Sequence, residues 1–170
     1  MVLLVASDTH GHADRLLTAV SRVRPAALLF LGDGLSDLSV LPSELPVRAV
    51  RGNCDFFGRE FPTCRLEVFG QTRIFLTHGH TLGVKSGPEH ALAAALSENA
   101  DILLYGHTHI PFEKNLLPGT EIFCNGRMEK LTRPLLILCP GSLGEPRNGA
   151  PSFATLTLRP DGILPGFGEL

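Results

Sequence analysis

The chain has 170 residues, of which 44% are apolar and 19% charged. A chain of this length can form one compact domain with a sizeable core, so we expect a single domain over residues 1–170. Fifteen basic and seventeen acidic residues give a formal charge of -2. This balance disfavours nucleic acid and anionic lipid surfaces as partners and favours a small molecule.

The N-terminus and the apolar runs predict neither a secretory signal nor a membrane span. Val2–Ala6 is apolar but short, and no basic segment precedes it. The other apolar runs are far shorter than the ~20 residues that a membrane helix needs. The cysteines have no C-x-x-C spacing, which favours reduced thiols. We therefore expect a cytoplasmic protein with no membrane partner.

The first half of the chain alternates apolar runs with a helical pattern. Residues 2–6, 26–31 and 47–50 are short apolar runs typical of strands buried on both faces of a sheet. Residues 14–23 have apolar side chains at helical spacing, and Pro25 follows them. This order predicts an α/β sheet, in which ligands bind beyond the carboxyl ends of the strands.

The second half of the chain predicts a hairpin, a helix and further strands. The hairpin strands are residues 65–69 and 72–77. The helix covers residues 88–96 and begins with a proline, and residues 101–105 predict another buried strand. The remaining candidates, all expected to be antiparallel, are residues 111–117, 135–139 and 153–158.

Side chains that bind metals follow the predicted strands. Carboxylate, imidazole and amide groups suit divalent ions such as Mn, Fe, Co or Zn. Each residue taken singly is more often a turn or surface residue, but together at strand ends they favour a metal centre. On an extended segment, side chains two apart point to the same face, so the pairs Asp8/His10 and His107/His109 are each expected to present two ligands. The full set is Asp8, His10, Asp33, Asn53, His78, His80, His107 and His109.

Five short motifs follow one another along the chain. They are Asp8-Thr9-His10, Gly32-Asp33, Gly52-Asn53-Cys54-Asp55, His78 and Gly106-His107-Thr108-His109. In this order they resemble the motifs of the calcineurin-like metallophosphoesterase superfamily. The segments Cys139-Pro140-Gly141-Ser142 and Glu145-Pro146-Arg147 are similar to its small bacterial and archaeal phosphodiesterase branch. The resemblance implies an α/β fold, a four-layer αββα sandwich of two mixed sheets with helices outside.

The resemblance also implies a dinuclear metal centre and assigns its ligands by position. Manganese is the first expectation, with nickel, cobalt, iron and zinc as alternatives. Asp33 would bridge the two ions. The other ligands would be Asp8, His10 and His109 for one ion, and Asn53, His78 and His107 for the second.

Further side chains are candidates for catalysis and substrate binding. Cys54 stands where many members of the superfamily have a histidine that stabilises the transition state or protonates the leaving group. A thiolate favoured by nearby cations cannot donate a proton, so we expect weak action on esters with poor leaving groups. His80 and His12 match no family ligand and are expected to face the phosphate or to support ligands by hydrogen bonds. Arg147 is a candidate phosphate clamp, with a solvent-facing loop charge as the alternative.

The leading hypothesis is a divalent-metal phosphodiesterase acting on a small phosphodiester. Two cations can lower the pKa of a bridging water and thereby supply hydroxide at neutral pH. The expected catalytic residues are Asp33, Asn53, Cys54 and His80. A phosphomonoesterase or nucleotidase on the same centre is one alternative, and a non-catalytic protein-binding module like the retromer scaffold subunit is another. A nuclease is disfavoured because the chain has one Tyr and no Trp. Residues 117–133 are expected to form a mobile hairpin at the site or a homo-oligomer contact.

Overall fold

Twelve strands and two α-helices make up the computed structural model, which describes residues 1–124 and 126–170. The helices are α1 (Ala13–Val23) and α2 (Glu89–Ser97), and 3-10 turns cover Leu35–Val40 and His80–Leu82. The strands are β1 (Val2–Ala6), β2 (Ala27–Phe30), β3 (Val47–Ala49), β4 (Cys64–Phe69), β5 (Thr72–Thr77), β6 (Ile102–Tyr105), β7 (Pro111–Leu116), β8 (Glu121–Cys124), β9 (Arg127–Lys130), β10 (Leu135–Pro140), β11 (Ser152–Arg159) and β12 (Gly162–Glu169).

The strands form two five-stranded mixed sheets and one separate hairpin. The first sheet has the order β12-β11-β1-β2-β3, in which β1, β2 and β3 are parallel and β11 and β12 are antiparallel additions. The second sheet has the order β4-β5-β6-β10-β7. In it β10 is parallel to β6 and antiparallel only to β7. The expectation that residues 135–139 pair only antiparallel is therefore wrong, since this strand is central and pairs on both sides.

Alternating apolar side chains create a core on each face of the first sheet. Leu3 and Val5 of β1 point towards the second sheet and belong to the core between the sheets. Leu4 and Ala6 point the other way and pack in the cluster that contains Leu16 of α1. This period of two is the ordinary geometry of a strand buried on both faces. The order of layers is therefore α1, first sheet, second sheet and α2, and the expected αββα sandwich is confirmed.

Helix α1 covers the outer face of the first sheet with an apolar stripe. Its buried residues are Leu16, Ala19 and Val20, at the spacing that places side chains on one helix face. The helix ends at Arg24, which adopts a left-handed conformation and donates its backbone N–H to the carbonyl of Val20. Pro25 cannot continue the helix, so the chain turns directly into β2.

The hairpin β8–β9 belongs to the outer layer formed with α2. Residues 117–133, expected to be a hairpin at the site or an oligomer contact, include this hairpin together with Asn125, which lies outside the described residues. Ile122 and Leu131 are buried in the same core cluster as Ala91 and Leu92 of α2. The described part of this segment is therefore anchored by packing on the second sheet.

Strand β12 was not predicted, because its sequence is rich in glycine and proline. It pairs along its whole length with β11, from Arg159 opposite Gly162 to Ser152 opposite Glu169. It lies at the edge of the sheet, where Pro165 is tolerated because one side of the strand needs no partner.

Within the described ranges, no helix has the length and apolar character needed to cross a membrane.

Candidate metal centre

The carboxyl ends of parallel strands from both sheets meet at one edge of the sandwich. Asp8 and Asp33 follow β1 and β2, while His78 and His107 follow β5 and β6. The backbone N–H of His107 donates to Oδ2 of Asp8 at 3.0 Å, which joins the loops of the two sheets. The predicted residues therefore come together in one crevice, as expected for ligands beyond the ends of parallel strands.

One group of side chains surrounds Oδ1 of Asp8. Nε2 of His109 lies 3.1 Å from this oxygen and Nε2 of His10 lies 3.8 Å from it. The two imidazole Nε2 atoms are 3.4 Å apart. Oδ1 of Asp8 is fully buried, yet it has no hydrogen bond within the described residues. A buried carboxylate oxygen without a hydrogen bond is costly unless another partner is supplied, and these three side chains together could hold a metal ion.

A second group of side chains converges on Nε2 of His78. This atom lies 3.3 Å from Oδ2 of Asp33, 3.1 Å from Nδ1 of His107 and 3.2 Å from Oδ1 of Asn53. Asp33, His78 and His107 could also hold a metal ion. Oδ2 of Asp33 is in addition 3.9 Å from Nε2 of His10. The Asp33 carboxylate therefore lies between the two groups.

Burial and neighbouring charges set the protonation of these side chains. Burial opposes ionisation of Asp33, but the His78 imidazole and the backbone N–H of Cys54 outweigh it and hold the pKa of Asp33 well below its ordinary value. Burial and the nearby His78 lower the pKa of His107 to about 4. His107 is therefore neutral at pH 7, which is the form of imidazole that binds a metal.

Hydrogen bonds to backbone carbonyls select which nitrogen of two histidines faces the crevice. Nδ1 of His78 is 2.7 Å from the carbonyl of Leu31, and Nδ1 of His109 is 2.6 Å from the carbonyl of Glu145. A carbonyl only accepts, so in each ring Nδ1 carries a proton, and in the neutral imidazole the lone pair is then on Nε2. Such contacts orient histidine ligands in metal sites.

Most of the candidate ligands have an unusual backbone conformation. Left-handed φ angles are uncommon for residues with a Cβ and concentrate at functional sites. The expectation that Asp8/His10 and His107/His109 lie on extended segments is therefore wrong, because these pairs reach the crevice from left-handed turns. The candidates with left-handed φ angles are Asp8 (55°), His10 (45°), Asp33 (57°), His107 (66°) and His109 (59°).

Two further carboxylates, which are not among the predicted site residues, support the crevice. Asp55 accepts backbone N–H bonds from Asp33, Gly34, Leu35 and Gly52 at 2.8–2.9 Å. Asp37 accepts from the Thr9 hydroxyl at 2.5 Å and from the backbone N–H of Gly11 at 3.0 Å. The position of Asp55 within the Gly-Asn-Cys-Asp motif is the one sequence feature that points to a role at the site. A motif does not reveal from which N–H groups a carboxylate accepts hydrogen bonds.

Cys54 is an exposed thiol at the edge of the crevice. Its backbone N–H donates to Oδ1 of Asp33 at 2.7 Å, and its Sγ accepts from Nδ2 of Asn53 at 3.1 Å. Burial and the Asp33 carboxylate raise the pKa of the Cys54 thiol to about 11. The protein groups by themselves therefore favour the neutral thiol, whereas the thiolate expected from the sequence depends on bound cations.

The three remaining predicted residues lie at different distances from the crevice. The His80 ring is centred 5.3 Å from that of His78, and its buried Nδ1 has no hydrogen-bond partner among the described residues. Arg147 is exposed and donates its backbone N–H to the carbonyl of His109 at 3.2 Å. His12 precedes α1 as its N-cap, and no side-chain hydrogen bond caps the helix there. His80 and Arg147 are thus beside the crevice, and neither His80 nor His12 belongs to a group of side chains that could hold a metal ion.

The comparison with protein families identifies the class of protein. Residues 1–161 match the model of the calcineurin-like phosphoesterase superfamily domain. The chain belongs to this superfamily. The expectation of a metal-dependent phosphoester hydrolase is confirmed at the level of the family. The domain contains groups of carboxylate and imidazole side chains that could hold divalent metals.

Two bacterial relatives are similar over most of their length. The probable metallophosphoesterase YsnB of Bacillus subtilis is 33% identical over 163 residues, covering 95% of this chain and 86% of the relative. The phosphodiesterase YfcE of Escherichia coli is 30% identical over 178 residues, covering 89% of this chain and 84% of the relative.

Solved structures have the same fold. A predicted phosphoesterase from Streptococcus pneumoniae matches with a TM-score of 0.73 and 27% identity, covering 99% of this chain and 88% of the other. Vps29 of Chaetomium thermophilum matches with a TM-score of 0.71 and 18% identity, covering 99% and 97%. At this lower identity the likeness to Vps29 concerns the fold alone.

Proposed function

We propose that this phosphoesterase is a phosphodiesterase that acts on a small phosphodiester with two divalent metal ions, manganese first among them. The observation that carries the proposal is the position of Asp33. Its Oδ2 is 3.3 Å from Nε2 of His78 and 3.9 Å from Nε2 of His10. One carboxylate therefore lies within reach of both ligand groups, which is the arrangement that a bridging ligand requires.

The donor set fits two such ions. Carboxylate oxygens, imidazole nitrogens and an amide oxygen suit manganese and similar divalent metals, and the unpartnered Oδ1 of Asp8 gains a partner when a cation binds. When bound, the ions would supply Lewis acidity and lower the pKa of a coordinated water. Asp33 would be shared, with Asp8, His10 and His109 on one side and Asn53, His78 and His107 on the other.

The rim of the crevice favours an anionic substrate. Three basic side chains act on the histidines of the centre. Burial is the main cause that lowers the pKa values of His80 and His107, and the charges of Arg51 and Lys85 lower them further. The charge of Arg147 opposes the rise in the pKa of His109. A phosphodiester carries one negative charge and would be attracted to this rim. We assign Arg147 and His80 to binding and orienting the phosphate, together with Asn53.

Cys54 favours diesters and activated esters over ordinary monoesters. A thiol has a reference pKa near 8.5, against 6.5 for an imidazolium, so it is the weaker acid at neutral pH. The leaving group would therefore depart with little help from a protein proton donor. The relative named phosphodiesterase YfcE supports the same preference.

The test compares two chromogenic esters after removal and replacement of the metal. Protein treated with a chelator is assayed with Mn²⁺, Co²⁺, Ni²⁺ or Zn²⁺ on bis(p-nitrophenyl) phosphate and on p-nitrophenyl phosphate. We expect activity that depends on the metal and is higher on the diester. Asp161→Asn is the matched control, because Asp161 is exposed in a turn. Higher activity on the monoester would favour a phosphomonoesterase or nucleotidase instead.

A non-catalytic scaffold is the second candidate, and the fold shared with Vps29 favours it. The two candidates differ when metal content and turnover are measured on the same sample. Two bound ions per chain without turnover of either ester would support the scaffold and refute the proposed phosphodiesterase.

A further inference from the structure

A separate pocket opens directly beside the candidate metal centre. It has a volume of about 300 Å³, which corresponds to roughly ten water molecules. Asn53 and His80 form its wall next to the centre, and Arg51, Phe56 and Arg59 line the rest of it. The pocket therefore borders the crevice and is large enough for a phosphate group and part of the molecule attached to it.

The pocket has an excess of positive charge, because two arginines and one carboxylate line it. Neither guanidinium, of Arg51 or of Arg59, has a side-chain hydrogen bond or an ion pair in the described part of the chain. Asp55 also borders the pocket, but its two oxygens already accept four backbone N–H bonds. Two arginines thus line the cavity without an ion pair to a carboxylate in the described part of the chain.

Arg51 and Arg59 line this pocket and belong to neither ligand group around Asp33. The phosphate that is hydrolysed must reach both ligand groups, so the pocket remains open to a further group. Arginine presents a planar set of donors that matches the oxygens of a phosphate. An anion bound here would therefore be a different group of the same molecule.

We infer that this pocket binds a second phosphate group of the substrate, so that the preferred substrates are phosphodiesters carrying a further phosphomonoester. The inference rests on the proposed function and narrows its substrate class. Arg51 and Arg59 bind the second phosphate, and Phe56 covers the group that connects it to the diester. A diester without a second anion leaves this pocket filled with water.

Two substrates that differ by a single phosphate test the inference. Thymidine 5'-(p-nitrophenyl phosphate) and the same compound with a 3'-phosphate both release p-nitrophenol. We expect kcat/KM to be about tenfold higher for the 3'-phosphate compound, mostly through KM, since a charge-assisted hydrogen bond in a partly exposed site has about this effect. In Arg51→Gln/Arg59→Gln the ratio between the two substrates should fall below about threefold.

Control variants distinguish the pocket from a general positive field. Arg159→Gln, at the exposed end of β11, should leave the ratio unchanged, and Lys85→Gln, which removes a rim charge outside the pocket, should lower the ratio much less than the double variant does. An equal loss of the ratio in Lys85→Gln would overturn the inference. If the double variant does not fold, the exposed Arg59→Gln alone should still lower the ratio, and an unchanged ratio there would count against the pocket.

A binding measurement separates this inference from the proposed function. Calorimetry with metal-loaded protein should give a Kd about tenfold lower for thymidine 3',5'-bisphosphate than for thymidine 5'-monophosphate, and the double variant should lose the difference. If no diester is hydrolysed but this preference is present, the proposed function is wrong and the pocket stands. If bis(p-nitrophenyl) phosphate is hydrolysed but neither preference appears, the pocket assignment is wrong.

Discussion

Asp55 is the side chain whose replacement tests most directly how the loops of the centre are held. Its carboxylate accepts N–H bonds from Asp33, Gly34, Leu35 and Gly52 at 2.8–2.9 Å. In Asp55→Asn one oxygen becomes an NH₂ group, so two of the four backbone donors lose their acceptor and face another donor instead. The substitution keeps the size of the side chain, and the change is therefore one of hydrogen bonding and charge.

The loss can be estimated from these bonds. A hydrogen bond to a charged group contributes about 1.5–3 kcal/mol, and Asp55 is half-buried, so water replaces part of what is lost. We expect the free energy of unfolding to fall by about 3 kcal/mol, out of the roughly 5–15 kcal/mol typical of a domain. With a urea m-value of about 2 kcal/mol/M, the unfolding midpoint should fall by about 1.5 M.

The assay is urea unfolding of chelator-treated protein, followed by far-UV circular dichroism. Removing metal first prevents bound ions from masking the loss. Asp161→Asn serves as the control and should shift the midpoint by less than about 0.3 M, because Asp161 is exposed in a turn. The reasoning is refuted if Asp55→Asn shifts the midpoint no more than this control does. A secondary expectation is weaker Mn²⁺ binding, since Asp55 holds the backbone of Asp33.

The other predictions concern the metal centre itself. Asp33→Asn should abolish metal-dependent hydrolysis because both ions lose a ligand, and near-normal turnover would contradict the bridging assignment. Cys54→His should raise the rate on glycerol 2-phosphate, whose alkoxide leaving group needs a proton, relative to the rate on bis(p-nitrophenyl) phosphate, since an imidazolium can protonate a leaving group; an unchanged rate ratio would show that position 54 does not set the preference. Gly52→Ala should reduce Mn²⁺ affinity at least tenfold, because the new Cβ would meet the carboxylate and the backbone nitrogen of Asp33, and titration calorimetry would measure it. Adding Mn²⁺ at 100 times its Kd to chelator-treated protein should stabilise the fold by about 2.7 kcal/mol for each ion that binds; a melting temperature that does not change would argue against a site built around Asp8.

Much of the fold was predictable because its central strands are short apolar runs with clear ends. β1 and β5 have the predicted bounds, and β2, β3 and β6 differ by one residue at one or both ends. Strand β12 was missed because glycine and proline obscure an edge strand whose pairing with β11 supplies its order. The mixed pairing of β10 was also missed, since an apolar run does not reveal the direction of its neighbours.

The residue types at the strand ends could be read from the sequence, because strand periodicity and turn residues are local properties. Which of these residues meet depends on how the two sheets pack. Asp8 and His107 are 99 residues apart and are joined by packing of two sheets, and Asp33 lies between two groups through the relative placement of β2 and β5. Contacts between distant segments also produce three other features that no local sequence pattern reveals. These are the left-handed turns at the ligands, the four N–H bonds that Asp55 accepts and the unpaired arginines beside Asn53.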